Sequence, residues 1–229
     1  MNMRLTILNN VYPPAEDSWQ TAETLSWVIS HYMRINSCIP RIIDVGSGTG
    51  ILAIIAAARA LKRNISPWVI AIDHDYNASM NTRINIINNG LHNYADVVST
   101  TVLNAIKHGI HINIIVSNPP YLPGDWREDW RIFGGPDGNY VIRQLINRIC
   151  NIKVDIVVLT SSSLSNWEEV VWFLRSCGYK LIIIKSIHYF LKILLQWFLL
   201  STVLLNRQIK HGFANIRHIL RYSINAIKY

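Results

Sequence analysis

The sequence predicts an α/β fold: a mostly parallel sheet covered by helices on both faces. Three observations predict it. Short, apolar, β-branched stretches alternate with helical patterns along the chain, the signature of parallel strands joined by crossover helices. One such stretch, Arg41 to Val45, runs into the glycine-rich turn Gly46-Ser47-Gly48-Thr49-Gly50 and then a helix, and the next stretch closes on the acid Asp73. A third, His111 to Ser117, ends in Asn118-Pro119-Pro120-Tyr121, with the turn Leu122-Pro123-Gly124-Asp125 behind it.

Each element follows in order. Glu16 to Met33 places Trp19, Ala22, Leu25, Trp27, Val28, Ile29 and Tyr32 at helical spacing, with Asp17 or Ser18 as the expected cap. Strand 41–45, helix 51–63 and strand 68–73 come next, then a helix from Asn77 to about Asn89, ended by Asn88-Asn89-Gly90. Ala95 to Thr101 and 112–118 read as strands. Pro136 to Cys150 reads as a helix entered through Gly134-Gly135. Val154 to Thr160 is a strand, Asn166 to Cys177 a helix and Lys180 to Ser186 a further strand.

From Phe190 the pattern changes. Ile193 to Leu205 is thirteen residues without a charge, bounded by Lys192 and Arg207. A membrane span needs about 20, so a last strand running into an apolar helix is the preferred reading and a membrane-associated segment the alternative. Gln208 to Tyr229 then resembles a basic helix with Ile209, Phe213, Ile216, Ile219, Leu220 and Ile224 on one side. A single domain is expected over 1–200, with 201–229 a basic, partly apolar extension.

Of the 229 residues, 50% are hydrophobic and 16% charged, which excludes a disordered chain. Residues 1–169 hold 13 Lys/Arg and all 14 acids, whereas 170–229 hold nine Lys/Arg and no acid. The net charge of +8 therefore belongs to the C-terminal quarter, a surface suited to RNA, a ribosome-associated partner or anionic lipid. Cys38, Cys150 and Cys177 are scattered and odd in number, so a reduced, cytoplasmic setting is expected, without a disulfide framework. The eight histidines show no ligand spacing, and no metal is expected. The start, Met1 to Leu8, lacks the long apolar core of a signal peptide.

The chemistry concentrates at the strand ends. Two prolines after Asn118 remove two backbone donors and fix φ, holding a planar amide and an aromatic ring rigidly at the carboxyl edge of the sheet, where α/β folds bind ligands. An Asn amide oxygen and a proline carbonyl each accept a hydrogen bond from one substrate NH2 group, so the site suits a planar amine or amide nitrogen held for attack. Glycines let the backbone approach a ligand, and an acid at the end of the second strand accepts from ribose hydroxyls. Gly46, Gly48 and Gly50 are spaced two apart, which fits a dinucleotide fingerprint poorly and an adenosyl-amino-acid pocket better.

Together these motifs resemble the HemK-type protein-glutamine methyltransferases, in particular the archaeal and eukaryotic branch that acts on class I peptide release factors. The matching pieces are Val11-Tyr12-Pro13-Pro14-Ala15-Glu16-Asp17-Ser18, Asp44 to Gly50, Asp73, Ser117 to Pro123, and Gly134-Gly135-Pro136-Asp137-Gly138, over about residues 10 to 185. The resemblance implies a seven-stranded class I (Rossmann-like) fold with S-adenosylmethionine as donor. It implies that Ser18 helps close over the cofactor, that Asp44 and Gly46 line its methionine side, that Asp73 binds the ribose, and that Ser47, Gly48 and Asn118 also border the cofactor. Family members usually carry Glu at the Asp44 position. They also place Asp-Leu after the third strand, where this chain has Thr101-Val102-Leu103-Asn104; Asn104, the best match, would accept from the adenine amino group without charge assistance. Asn118 and Pro119 would orient the acceptor nitrogen, with Pro120 stiffening the turn and Tyr121 packing on the planar amide. Trp126 and Trp130 suit a loop over the acceptor site, or simple packing.

The resemblance further implies a release factor as substrate and a small zinc-binding activator protein added to the third-strand edge. Two other readings stand beside it: an adenine-N6 or other RNA/DNA amino-methyltransferase, since Asn-Pro-Pro-Tyr serves both, and a non-catalytic binding module, for which the missing acid at Asn104 speaks.

Overall fold

The computed structural model describes residues 3–36, 38–106, 109–189 and 198–206. Its described strands are β1 (Arg41–Val45), β2 (Trp68–Asp73), β3 (Ala95–Ser99), β4 (His111–Ser117), β5 (Lys153–Ser162), β6 (Lys180–Tyr189) and β7 (Phe198–Asn206). They form one seven-stranded sheet in the order β3-β2-β1-β4-β5-β7-β6. The five strands β1 to β5 are parallel throughout, and β7 enters antiparallel between β5 and β6. Order reverses between β1 and β4, which opens a crevice at their carboxyl ends.

The helices are α1 (Glu16–Ile35), α2 (Ile51–Leu61), α3 (Tyr76–Asn88), α4 (Val102–Ala105), α5 (Trp126–Asp129), α6 (Tyr140–Cys150) and α7 (Trp167–Ser176). Strands β1, β2, β4 and β5 are mostly apolar on both faces, and their period of two divides them between two cores. Ile42, Val69, Ala71, Ile114, Val116, Ile156 and Val158 pack under α1, α2 and Ile86 of α3. Ile43, Val45, Ile72, Ile115, Val157 and Leu159 pack under α6 and α7. Crossover helices on both faces are what a parallel sheet without a solvated side requires.

Several boundaries differ from those the sequence predicts, for physical reasons. The α1 helix starts at Glu16 with Ala15 at the cap and no side-chain cap bond, so Asp17 and Ser18 lie inside its first turn. Their polar groups are used elsewhere, as described below. Helix α6 starts at Tyr140 instead of Pro136, because Gly135 (φ 91°) and Gly138 (φ 77°) turn the chain left-handed before it.

The apolar run from Ile193 was expected as a last strand running into an apolar helix; its described part is all strand, β7. A continuous apolar run carries no period to separate the two, and pairing with β5 on one side and β6 on the other decides it. This strand crosses the boundary placed at 200/201, while the basic helix expected over 208–229 lies outside the described residues.

The expectation of unpaired cysteines also fails. Cys150 at the end of α6 and Cys177 after α7 form a disulfide, with Cα atoms 5.3 Å apart. They are 27 positions apart in sequence, and β5 lies between them, which makes the two helix ends neighbours in space. Cys38 is free and exposed.

Candidate active site

A cavity of about 390 Å³ opens at the carboxyl ends of β1, β2 and β4. Its floor is the turn after β1. Gly46 and Gly48 hold positive φ (74° and 55°), and a Cβ on either would meet nothing within 4 Å. The backbone there is bare toward open space, the condition for close approach of a ligand. Asp73 ends β2 and is buried, accepting from the Gly48 N–H at 2.9 Å and the Asp75 N–H at 3.0 Å. Burial raises its pKa; the two backbone donors oppose that rise.

Asp44 lies beneath the turn, fully buried. One carboxylate oxygen accepts from Ala53 N–H at 3.0 Å, and the other has no hydrogen-bond partner. Desolvation pushes its pKa up to about 7, with the Ala53 N–H pulling against it and Asp73 adding to it. An unpartnered buried carboxylate oxygen is costly and stands ready for a donor or a cation.

Beside this floor, Asn118 is fixed from one side. Its Nδ2 donates to Asp17 Oδ2 at 3.0 Å and to Ser18 Oγ at 3.2 Å. A carboxylate only accepts, so the Asp17 contact assigns the amide orientation. Asn118 Oδ1 is left buried without a partner. The same Asp17 oxygen accepts from the Tyr121 hydroxyl at 2.8 Å, and its other oxygen accepts from the Ser18 N–H at 2.7 Å. Asp17 thus ties the start of α1 to both ends of the Asn118–Tyr121 turn.

The structure brings Ser18, Gly46, Ser47, Gly48, Asp73, Asn118, Pro119 and Pro120 to the cavity wall. Asp44 underlies it. Two expected residues stand apart. Asn104 is exposed on α4, and Thr100 and Thr101 line the wall at that edge instead. Tyr121 is not on the wall; its ring packs against the α6/α7 core while its hydroxyl holds Asp17. Sequence reasoning missed the role of Asp17, which it assigned to a cap. It also left out His74, Tyr140 and Gln144, which complete the wall. Trp126 and Trp130 are on the wall too, Trp126 edge-on to Tyr140 and Trp130 edge-on to His74. Among the described residues, no cluster of His, Cys, Asp and Glu has the makings of a metal site.

With the strand order and crevice in place, the fold is that of the class I methyltransferases. Residues 26–130 match the family model described as Methyltransferase small domain. The chain is 28% identical over 141 residues to a release factor glutamine methyltransferase of Mycolicibacterium smegmatis, covering 56% of this chain and 46% of that protein. It is 35% identical over 83 residues to a tRNA1(Val) (adenine(37)-N6)-methyltransferase of Parabacteroides distasonis, covering 36% and 33%. The chain thus spans less than half the length of these curated relatives.

Among solved structures, the N-terminal domain of human METTL16 in complex with SAH superposes with a TM-score of 0.62 at 14% identity, covering 90% of this chain and 76% of that one. The E. cuniculi Mtq2-Trm112 complex, responsible for methylation of the eRF1 termination factor, superposes with a TM-score of 0.53 at 19% identity, covering 87% and 99%. The family model and the release factor relative support the HemK-type resemblance without singling out a branch of it, and the solved structures support the fold.

Proposed function

We propose that the protein transfers a methyl group from S-adenosylmethionine to the side-chain amide nitrogen of the glutamine in the Gly-Gly-Gln loop of a class I peptide release factor. The observation that carries this reading is the state of Asn118: its NH2 is locked by Asp17 and Ser18, and its oxygen is unspent. An acceptor fixed in this way suits the N–H of a planar amide.

The residues present fit the donor. Bare backbone at Gly46 and Gly48 leaves room for it, the unpartnered Asp44 oxygen would take its amino group, and Asp73 keeps acceptor capacity for ribose hydroxyls. Thr100 and Thr101, in place of Asn104, would border the adenine. When bound, S-adenosylmethionine supplies an electrophilic methyl group on a sulfonium.

The chain's own task is positioning. An amide nitrogen is a poor nucleophile because its lone pair is delocalised into the carbonyl. Asn118 Oδ1 and the Pro119 carbonyl would accept its two N–H bonds, turn the nitrogen toward the donor and stabilise positive charge developing on it. One of those protons is replaced by the methyl and leaves to solvent. Tyr121 contributes through Asp17, by holding the carboxylate that holds Asn118.

The edge strand β3 pairs only with β2 among the described strands and leaves Val98 exposed, a surface a small activator protein would extend. Both the release-factor relatives and the Mtq2-Trm112 likeness support this reading. The tRNA adenine-N6 relative favours a second one, in which the same Asn118 and Pro119 oxygens receive the exocyclic amine of adenine. Labelled methyl transfer separates them. Incorporation into a class I release factor, lost when the loop glutamine becomes alanine, is the expected result. Incorporation into RNA alone would give the site to adenine.

A further inference from the structure

The chain ahead of α1 is held by an unusual device. Three asparagines, Asn81, Asn85 and Asn89, stand four apart along and just past α3 and meet the backbone of residues 4, 6 and 8. Asn89 accepts from the Arg4 N–H at 3.0 Å and donates to the Arg4 carbonyl at 2.7 Å. Asn85 accepts from the Thr6 N–H at 2.7 Å and donates to the Thr6 carbonyl at 2.8 Å. Asn81 donates to that same carbonyl at 2.8 Å and accepts from the Leu8 N–H at 2.7 Å. Four helical residues rise about 6 Å, and two extended residues span about 6.7 Å. The periods match, so the side-chain amides imitate the edge of a neighbouring strand. Met3 and Leu5, of opposite parity, pack against the α1/α2 core.

This ladder is joined to the candidate site at three points. Asn85 is fully buried and also donates to the carbonyl of Thr49, in the glycine-rich turn, at 2.9 Å. Beyond Leu8 the chain turns at Asn10 (φ 66°), and residues 10–14 then line the cavity. On its far side, the Asn10 carbonyl accepts from Arg131 at 3.1 Å, an arginine of the loop that carries Trp126 and Trp130.

We propose that residues 4–8 are a strap that sets residues 10–14 as the roof of the donor pocket, and that Asn85 is the positioning residue tying this roof to the glycine-rich floor. The proposal rests on the reading of the cavity as the S-adenosylmethionine site. Its consequence is mutual: a ligand held between roof and floor steadies the strap, and loosening the strap weakens the ligand. The residues that touch the ligand are unchanged in either case.

Thr6→Pro tests this in the full-length protein. It deletes the one N–H that Asn85 accepts, at an exposed position outside the cavity. S-adenosylhomocysteine is the probe, with its affinity read by calorimetry and amide hydrogen exchange read over residues 4–8 with and without it. The wild type should bind and show slowed exchange at Arg4, Thr6 and Leu8. The variant should bind at least about fivefold more weakly, the effect of one lost hydrogen bond, with the melting temperature of the free protein lowered by a few degrees and the fold retained. Asn89→Ala, which removes the outermost rung and leaves Asn85 in place, should weaken binding in the same direction by less. Equal affinity in Thr6→Pro and wild type, or binding without any change in exchange at residues 4–8, would overturn the strap while leaving the cofactor reading intact. Failure of the wild type to bind would overturn the cofactor reading itself.

Discussion

Asp17 and Asn118 illustrate how the site is set residue by residue. The carboxylate accepts from the Asn118 amide and the Tyr121 hydroxyl with a single oxygen, so both groups depend on its charge and position. Asp17→Asn keeps the shape but offers an amide that can donate to Asn118 as easily as accept. Methyl transfer is expected to fall by about 10²-fold, the cost of a misplaced acceptor, with S-adenosylhomocysteine affinity unchanged. Paired kinetic and binding measurements check both halves.

Asp44 predicts a pH dependence. The unfolded chain releases this proton in the ordinary carboxylate range and the folded one near 7. Between those values the folded state holds more protons, so stability falls as pH rises from 4 to 7. Thermal unfolding of free wild type and Asp44→Asn across that window should show the stability difference growing in favour of the variant. Parallel curves would remove Asp44 as the cause. Asn118 and Asp73 were legible in the sequence because strand ends and rigid turns announce themselves. Asp17 was not, because an acid at the start of a helix already has a sufficient explanation as its cap.

At the scale of elements, the Asn118–Tyr121 turn is braced by the segment 132–138. Leu122, next after the turn, exchanges backbone bonds with it: Leu122 N–H to the Ile132 carbonyl at 3.2 Å, and Gly134 N–H to the Leu122 carbonyl at 2.9 Å. A Cβ on Gly134 would strike the carbonyls of Gly138 and Pro120, and one on Gly138 would strike that of Tyr121. The Gly-Gly-x-Asp-Gly stretch therefore exists to let one loop press against the backbone of another. Gly134→Ala must move the turn. It should cost about 1–3 kcal/mol of stability in denaturant unfolding and reduce transfer at least about tenfold. The sequence showed that these glycines matter but not against what, since the partner loop lies a dozen residues away. The asparagine ladder was likewise in plain view at positions 81, 85 and 89, yet read only as a polar helix ending in Asn-Gly.

For the molecule as a whole, alternation made the α/β class and its parallel strands legible, because β1, β2, β4 and β5 are short, mostly apolar runs buried on both faces. The place of β7 was not, since only pairing with β5 and β6 fixes a featureless apolar run. Nor was the Cys150–Cys177 bond, which depends on α6 and α7 lying side by side. That bond closes a loop of 27 residues, and on the chain-entropy account Cys177→Ser should cost about 3 kcal/mol in denaturant unfolding. Neither Cys150 nor Cys177 lines the cavity, so cofactor affinity should hold.

The central claim is that a locked Asn118 presents its free oxygen to the nitrogen that accepts the methyl group. Single-turnover transfer to a class I release factor, at saturating S-adenosylmethionine, tests it most directly when Asn118→Ala is compared with wild type. The account predicts that the variant retains donor affinity and loses transfer to the loop glutamine. Undiminished transfer by Asn118→Ala would contradict it.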